Sequence, residues 1–126
     1  SGILGIASLL LGAGKVIAVD TDAQALKSTR DNANLNNINT SKLLCYFPED
    51  LPYETRANII VANILAETLV KLAPKLIELT SHQGKICLSG ILENQIGDVQ
   101  MAYQQSFRFE EPAVHDGWAR LCGQKD

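Results

Sequence analysis

The spacing of hydrophobic residues along this chain switches repeatedly between the period of a helix and that of a strand. Short apolar or β-branched runs predict strands at Lys15–Val19, Lys42–Tyr46, Ala57–Ala62 and Lys85–Leu88. Helices are predicted at the short apolar run Ile3–Leu11, at 23–36 with an apolar stripe, at Glu67–Thr80, and at the amphipathic segment Glu93–Gln105. Of the strands, Ala57–Ala62 has the clearest pattern of a fully buried one. This alternation is typical of an α/β fold built around a parallel sheet.

Capping and breaking residues refine these boundaries. The run Gly12–Gly14 should end the first helix, and the Asp22 carboxylate should cap the second by accepting from N–H groups of its first turn. Pro74 lacks an N–H and would clash with the Val70 carbonyl, so we expect it to break the third helix into two pieces. Two prolines and three acids in residues 47–56 predict an exposed loop.

The end of the chain differs from the rest. The segments Phe107–His115 and Trp118–Gly123 flank Asp116-Gly117, a strong hairpin signal, so we predict a terminal antiparallel hairpin. We expect Phe107 and Trp118 to pack within this hairpin and Met101 to lie in the core.

Composition narrows the class of protein. The 126 residues are 46% hydrophobic and 20% charged, with a net charge of −3, which argues against direct nucleic-acid binding. No apolar run reaches the ~20 residues that span a bilayer, so no membrane partner is expected. The three cysteines lack C-x-x-C spacing, so we predict no metal site and instead buried, reduced thiols in a cytoplasmic protein. Neither His82 nor His115 is expected to be catalytic.

Polar and glycine residues follow the predicted strands. Because ligands bind at the carboxyl ends of parallel strands, we expect one rim to hold Gly2, Asp20, the Phe47–Asp50 loop, Asn63 and Ser89-Gly90. These residues come from separate loops, so their shared position at one rim is stronger evidence for a binding site than any single residue. The pattern favours a nucleoside-containing ligand.

Three rim residues have a candidate role that can be weighed against a structural one. Asp20 could accept hydrogen bonds from both hydroxyls of a ribose, or could simply cap a helix. Gly2 precedes a helix and would let the backbone approach a ligand closely, although many helices begin with Ser-Gly. Asn63 could accept from a cofactor or substrate amine through its side-chain oxygen, or could cap the next helix.

Several motifs together resemble a known family. They are Ser1–Leu4 before an apolar helix, Val16–Asp22, Asn63–Ala66 (Asn-Ile-Leu-Ala), Leu88–Leu92 and the Gly117–Leu121 strand. This set is similar to the methyltransferases that modify large-subunit ribosomal protein eleven, and the likeness covers essentially the whole chain. Release-factor methyltransferases carry Asn-Pro-Pro-Tyr where this chain has Asn63–Ala66.

The resemblance implies a class I, Rossmann-like methyltransferase domain over residues 1–126 that uses S-adenosylmethionine. It implies that Gly2 is the last glycine of the cofactor loop, that Asp20 binds the ribose hydroxyls, and that Asn63 lies beside the methionine portion and the target nitrogen, as the catalytic residue. The family's first strand, earlier glycines and N-terminal substrate-binding domain have no counterpart in this sequence. We therefore expect an N-terminally truncated domain whose sheet has a gap.

The expected reaction is methylation of lysine or α-amine groups of the ribosomal protein. A sulfonium methyl is already electrophilic, so alignment of a neutral amine is the main requirement, and no strong general base is needed. Three alternatives stay open: a class I methyltransferase with another acceptor, a fragment that is inactive alone, and a nicotinamide-dependent dehydrogenase domain. The hairpin and the absence of a candidate catalytic His or Lys near the rim count against the last.

Overall fold

The computed structural model describes residues 1–126, which divide into two compact units, Ser1–Tyr53 and Glu54–Asp126. The first unit contains α1 (Ile3–Leu10), β1 (Val16–Val19), α2 (Ala23–Leu35) and β2 (Leu43–Tyr46). The second contains β3 (Ala57–Asn63), α3 (Ala66–Leu79), β4 (Thr80–Leu92), α4 (Ile96–Tyr103), β5 (Phe107–Phe109), β6 (Ala113–His115) and β7 (Trp118–Lys125). None of the helices combines the length and hydrophobicity needed to cross a bilayer.

The first unit is a small α/β layer with a two-stranded parallel sheet. Strand β1 pairs with β2 from Val16 opposite Leu43 to its last residue. Its core is small and consists mainly of Ile6, Ala33 and Leu43. The expected cap of α2 is confirmed, since the Asp22 side chain accepts from the Gln24 N–H at 2.9 Å.

The second unit is built on a mixed sheet in the order β3-β4-β7-β5, with β6 also paired to β7. Strands β3 and β4 are parallel, whereas β4, β5 and β6 each run antiparallel to β7. The predicted terminal hairpin is confirmed: Asp116 and Gly117 have φ of 51° and 81°, the positive values that a two-residue hairpin turn requires. The predicted strand Phe107–His115 is instead two strands, because Pro112 between them has no N–H to give to a ladder.

The core of the second unit lies between this sheet and the helices α3 and α4. Its fully buried side chains include Leu69, Leu88, Val99, Tyr103 and Leu121. The Tyr103 hydroxyl donates to the Leu69 carbonyl at 2.6 Å and so joins α4 to α3 inside the core. Phe107 of β5 is also buried there, so it has a structural role as expected, but in this core and not within the β6–β7 hairpin.

Strand β3 is far less buried than its sequence predicts. Ile60 and Ala62 pack against the core, but Ile59 is 65% exposed and Val61 is 46% exposed. The expectation of a fully buried strand is therefore wrong within this structure. The physical reason is that β3 is an edge strand, paired only with β4, and that both helices of its unit pack on the opposite face.

Helix α3 is not broken at Pro74. It runs without interruption from Ala66 to Leu79, so the predicted break is wrong. Leu69 before the proline and Ala73 beside it are buried in the same core, while Pro74 itself faces solvent. Packing of the apolar stripe therefore outweighs the loss of one backbone hydrogen bond.

Two further expectations need correction. Met101 is 71% exposed on α4 and does not lie in the core. The three cysteines are free and lie in β2, β4 and β7, but each is half-buried rather than fully buried. Cys45 packs at the margin of the first unit's core, whereas Cys87 and Cys122 lie on the face of the sheet opposite the second unit's core.

Candidate functional site

Gly2 is fixed at the start of α1 by a close contact with α2. It has φ of 72°, a left-handed conformation that favours glycine, and a Cβ there would collide with the buried Thr29 side chain. The Ser1 carbonyl next to it accepts from the Asn32 amide at 2.9 Å. The glycine thus has a clear packing reason in addition to its predicted place in a cofactor loop.

Asp20 follows β1 directly and is held by local hydrogen bonds. Its N–H donates to the Tyr46 carbonyl at 3.2 Å, which extends the β1–β2 ladder by one rung. One carboxylate oxygen, Oδ1, accepts from the Asp22 N–H at 3.0 Å. Because Asp22 is the N-cap of α2, the helix-capping alternative for Asp20 is wrong. The exposed carboxylate keeps Oδ2 and further lone pairs available to a ligand.

The predicted loop after β2 begins beside Asp20. Tyr46 is the last residue of β2, and Phe47 leads into a 3₁₀ turn at Pro48–Asp50. The first unit therefore brings together two of the predicted rim segments, Asp20 and the Phe47–Asp50 loop, at the carboxyl ends of its two strands.

Asn63 is the last residue of β3 and stands opposite Ser89 of β4. Its side chain is exposed and makes no hydrogen bond, and α3 starts from Leu65 without a side-chain cap. The helix-capping alternative for Asn63 is therefore wrong. An unbonded amide at the end of a parallel strand is free to bind a ligand amine through its oxygen.

Ser89-Gly90 lies inside β4, where the pairing with β7 shifts register. Gly90 has φ of 82°, and a Cβ at this position would lie 2.9 Å from Asn63 Oδ1 and 2.6 Å from the Ile64 carbonyl oxygen. Only glycine allows the two strand ends to approach so closely. The structure thus confirms that Asn63 and Ser89-Gly90 meet at one edge of the second unit's sheet.

An open cleft of about 800 Å³ begins at this edge. Its lining includes Asn63, Gly90 and three side chains of the terminal hairpin: His115, Trp118 and Arg120. Trp118 is 53% exposed, so the expectation that it only packs the hairpin is wrong. Its position follows from the register, which sets Trp118 opposite both Leu92 of β4 and His115 of β6.

The hairpin also brings ionisable groups into the cleft. His115 Nε2 lies 3.2 Å from the Asp116 carboxylate, and Arg120 has no acidic partner within ion-pair distance. His115 thus lines the cleft, although no candidate catalytic histidine was expected near the rim. The sequence does not predict that these residues line the cleft, because their position depends on the long-range pairing of β7 with β4. The Asp116-Gly117 turn is the only local signal for this arrangement, since it predicts the hairpin. No cluster of three or more His, Cys, Asp or Glu residues that could hold a metal ion is present.

The family model described as "Ribosomal protein L11 methyltransferase (PrmA)" matches residues 1–126. The chain belongs to this family. A PrmA-family relative from Marinobacter nauticus, named ribosomal protein L11 methyltransferase, is 51% identical over 125 residues, which are 99% of this chain and 42% of that protein. The chain thus spans less than half the length of the relative that it matches.

Solved structures have the same fold as this chain. The crystal structure of ribosomal protein L11 methylase from Lactobacillus delbrueckii subsp. bulgaricus is 30% identical, with a TM-score of 0.89 over 99% of this chain and 65% of that one. An RNA methyltransferase from Salinibacter ruber, solved with S-adenosyl-L-homocysteine, shares the fold: its TM-score is 0.76 over 98% of this chain and 74% of that one, at 14% identity. The predicted α/β, class I methyltransferase fold is confirmed.

Proposed function

We propose that residues 1–126 form part of one S-adenosylmethionine-dependent methyltransferase domain that acts on lysine or α-amine groups of a large-subunit ribosomal protein. The observation that carries this proposal is the unbonded Asn63 amide, which stands against Gly90 at the mouth of an open cleft. Membership of the PrmA family supports both the reaction and the acceptor. The ribosomal acceptor and three free thiols support a cytoplasmic location.

The residues of each unit fit parts of the cofactor. Asp20 offers a carboxylate whose position is fixed by the Asp22 N–H, which suits it to accept from ribose hydroxyls. Gly2 begins α1, whose first-turn N–H groups suit the polar end of the cofactor. Asn63 offers an amide oxygen to an amine. Bound S-adenosylmethionine supplies an electrophilic methyl group on sulfur.

The chain's own contribution to the reaction is positioning. Asn63 Oδ1 accepts a hydrogen bond from the acceptor amine and so fixes the direction of its lone pair. A lysine amine has an unperturbed pKa of ~10.4 and must be neutral to attack. The apolar side chains of Ile64, Leu65 and Trp118 line the same cleft, and such surroundings lower the pKa of an amine by disfavouring its charge.

Binding is the direct test of the cofactor assignment. Isothermal calorimetry should show that the chain binds S-adenosylhomocysteine and not NAD. Asp20→Asn should weaken this binding about tenfold or more, because a charge-assisted hydrogen bond contributes ~1.5–3 kcal/mol. Binding of NAD in place of S-adenosylhomocysteine would favour the dehydrogenase alternative.

Methyl transfer tests the acceptor. We expect radiolabelled methyl groups to reach the ribosomal protein when the PrmA-family enzyme carries this segment, and Asn63→Ala to lower the rate by at least tenfold. Asn34→Ala is the matched control, because Asn34 is an exposed asparagine in α2 and its loss should leave the rate unchanged. Equal rates for both variants would remove Asn63 from the mechanism.

A further inference from the structure

Two cysteines of the second unit face each other across the centre of its sheet. Cys87 of β4 and Cys122 of β7 are direct partners in the antiparallel register, and their Sγ atoms lie 3.0 Å apart. Their neighbours Ile86, Leu88 and Leu121 point into the core, so the two thiols lie on the opposite face of the sheet. Both thiols are half-buried.

The backbone already has the geometry that a disulfide requires. Directly opposed residues of antiparallel strands have Cα atoms ~4.5–5.5 Å apart, and disulfides bridge Cα separations of ~4.4–6.8 Å. Only a small side-chain rotation is needed to bring the sulfur atoms from 3.0 Å to bonding distance. The third cysteine, Cys45, lies in β2 of the other unit and has no such partner.

The surroundings of Cys87 disfavour the ionised form of its thiol. Burial, the hydrogen bond with Cys122 and repulsion by a charged Cys122 raise the pKa of the Cys87 thiol to about 11, and Glu110 adds to this. The positive charge of Arg120 acts in the opposite direction. Cys87 is therefore protonated at neutral pH, and only a small fraction of it is the thiolate that attacks a disulfide.

We propose that Cys87 and Cys122 form a dithiol site that small-molecule disulfides oxidise reversibly to an intramolecular disulfide between β4 and β7. In the first step one cysteine thiolate attacks the small disulfide, forms a mixed disulfide and displaces one small thiol. In the second step the other cysteine, after losing its proton, attacks the protein sulfur of the mixed disulfide and displaces the second small thiol. The two cysteines lose two electrons and two protons, and the small disulfide is reduced to two thiols.

The site lies next to the cleft on both strands. Ser89 is two residues beyond Cys87, and Arg120 is two residues before Cys122, and both line the cleft. A disulfide would therefore hold together the two strands that form the cleft floor. This inference concerns the sheet alone and does not depend on the proposed methyl transfer.

The test is oxidation of the full chain at low protein concentration with oxidised glutathione, followed by intact mass measurement and non-reducing peptide mapping. We expect a mass loss of two hydrogens, a peptide that joins Cys87 to Cys122, and alkylation of Cys45 alone. Dithiothreitol should reverse all three changes. The midpoint of thermal unfolding should rise by roughly 5 °C or more on oxidation, because the crosslink restricts the unfolded chain.

Single substitutions separate the pair from general thiol chemistry. Cys45→Ser should leave the linked peptide intact, whereas Cys122→Ser should abolish it and leave Cys87 alkylatable. Peptide mapping of the unsubstituted chain tests the Cys87–Cys122 disulfide even if a variant folds poorly. Stable glutathione adducts on single cysteines, disulfides between chains, or three alkylatable thiols after oxidation would each overturn the proposal.

Discussion

At the scale of single residues, Gly90 both adopts a backbone conformation that favours glycine and lies in the candidate site. An added methyl group would strain a residue with φ of 82° and would press on both the Ile64 carbonyl and Asn63 Oδ1. We expect Gly90→Ala to lower the free energy of unfolding by about 1–3 kcal/mol and to weaken S-adenosylhomocysteine binding. Urea denaturation and calorimetry measure the two effects.

Gly97→Ala is the matched control for this substitution. Gly97 lies in α4 with open space around its Cβ position, so alanine should stabilise the chain by about 0.5–1 kcal/mol. If Gly90→Ala were as stable as Gly97→Ala, the close approach of the β3 and β4 ends would have no energetic consequence.

Tyr103 gives a prediction that depends on pH. Its hydroxyl donates to the Leu69 carbonyl inside the core, so Tyr103→Phe should cost about 0.5–1.5 kcal/mol at pH 8. Burial raises the pKa of Tyr103 from 10 to about 12. The folded state therefore holds the proton more tightly, and this contribution to stability is complete below pH 10 and is lost as the pH rises towards 12.

The difference in unfolding free energy between the unsubstituted chain and Tyr103→Phe isolates this effect. It should shrink between pH 10 and pH 12 in urea denaturation series. A difference that stays constant or grows over that range would show that the hydroxyl is not held in its neutral form by the core.

Helix caps and turns could be predicted from the sequence, whereas the burial of individual side chains could not. The Asp22 cap and the Asp116-Gly117 turn depend only on neighbouring residues, and both are found as predicted. Met101 and Trp118 were misassigned because their exposure depends on which face of an element meets the core. Hydrophobicity alone does not specify that face for a short helix or a terminal strand.

At the scale of secondary structure, α3 tests how far packing can override a proline. Pro74 lies in an unbroken helix and faces solvent, so its ring contributes little to the core. Pro74→Ala should restore the backbone hydrogen bond to Val70 and raise the free energy of unfolding by about 1–3 kcal/mol. Chemical denaturation measures the change, with Lys75→Ala as the exposed neighbour for comparison. No gain in stability would mean that α3 is adapted to the proline.

The order of elements was predictable, but strand environments were not. The helices and strands occur in the predicted order because their periods are local properties of the sequence. The exposure of Ile59 and Val61 on β3 and the full extent of β4 depend on which strands become neighbours. The same holds for the cleft, since Asn63 was found from the sequence but Trp118 and Arg120 depend on the pairing of β7.

At the scale of the whole molecule, the two units differ sharply in the size of their cores. The first has four buried hydrophobic residues, Ile6, Leu26, Ala33 and Leu43, whereas the second buries a contiguous cluster along α3, α4 and the sheet. We expect residues 54–126 alone to unfold cooperatively and residues 1–53 alone to remain unfolded, because so small a core cannot offset chain entropy. Circular dichroism melts of the two peptides measure this. Cooperative melting of the shorter peptide would contradict it.

The sheet order of the second unit also affects the order in which its strands can pair during synthesis. Strand β7 is hydrogen-bonded between β4 and β5 but is made after both of them. During synthesis β4 therefore leaves the ribosome before β7, and one edge of β4 lacks its partner until residues 118–125 have emerged as well. Until then the backbone N–H and C=O groups of β4 around Ile86 and Leu88 can pair with another strand, and the sheet of this unit is complete only once β7 has left the ribosome.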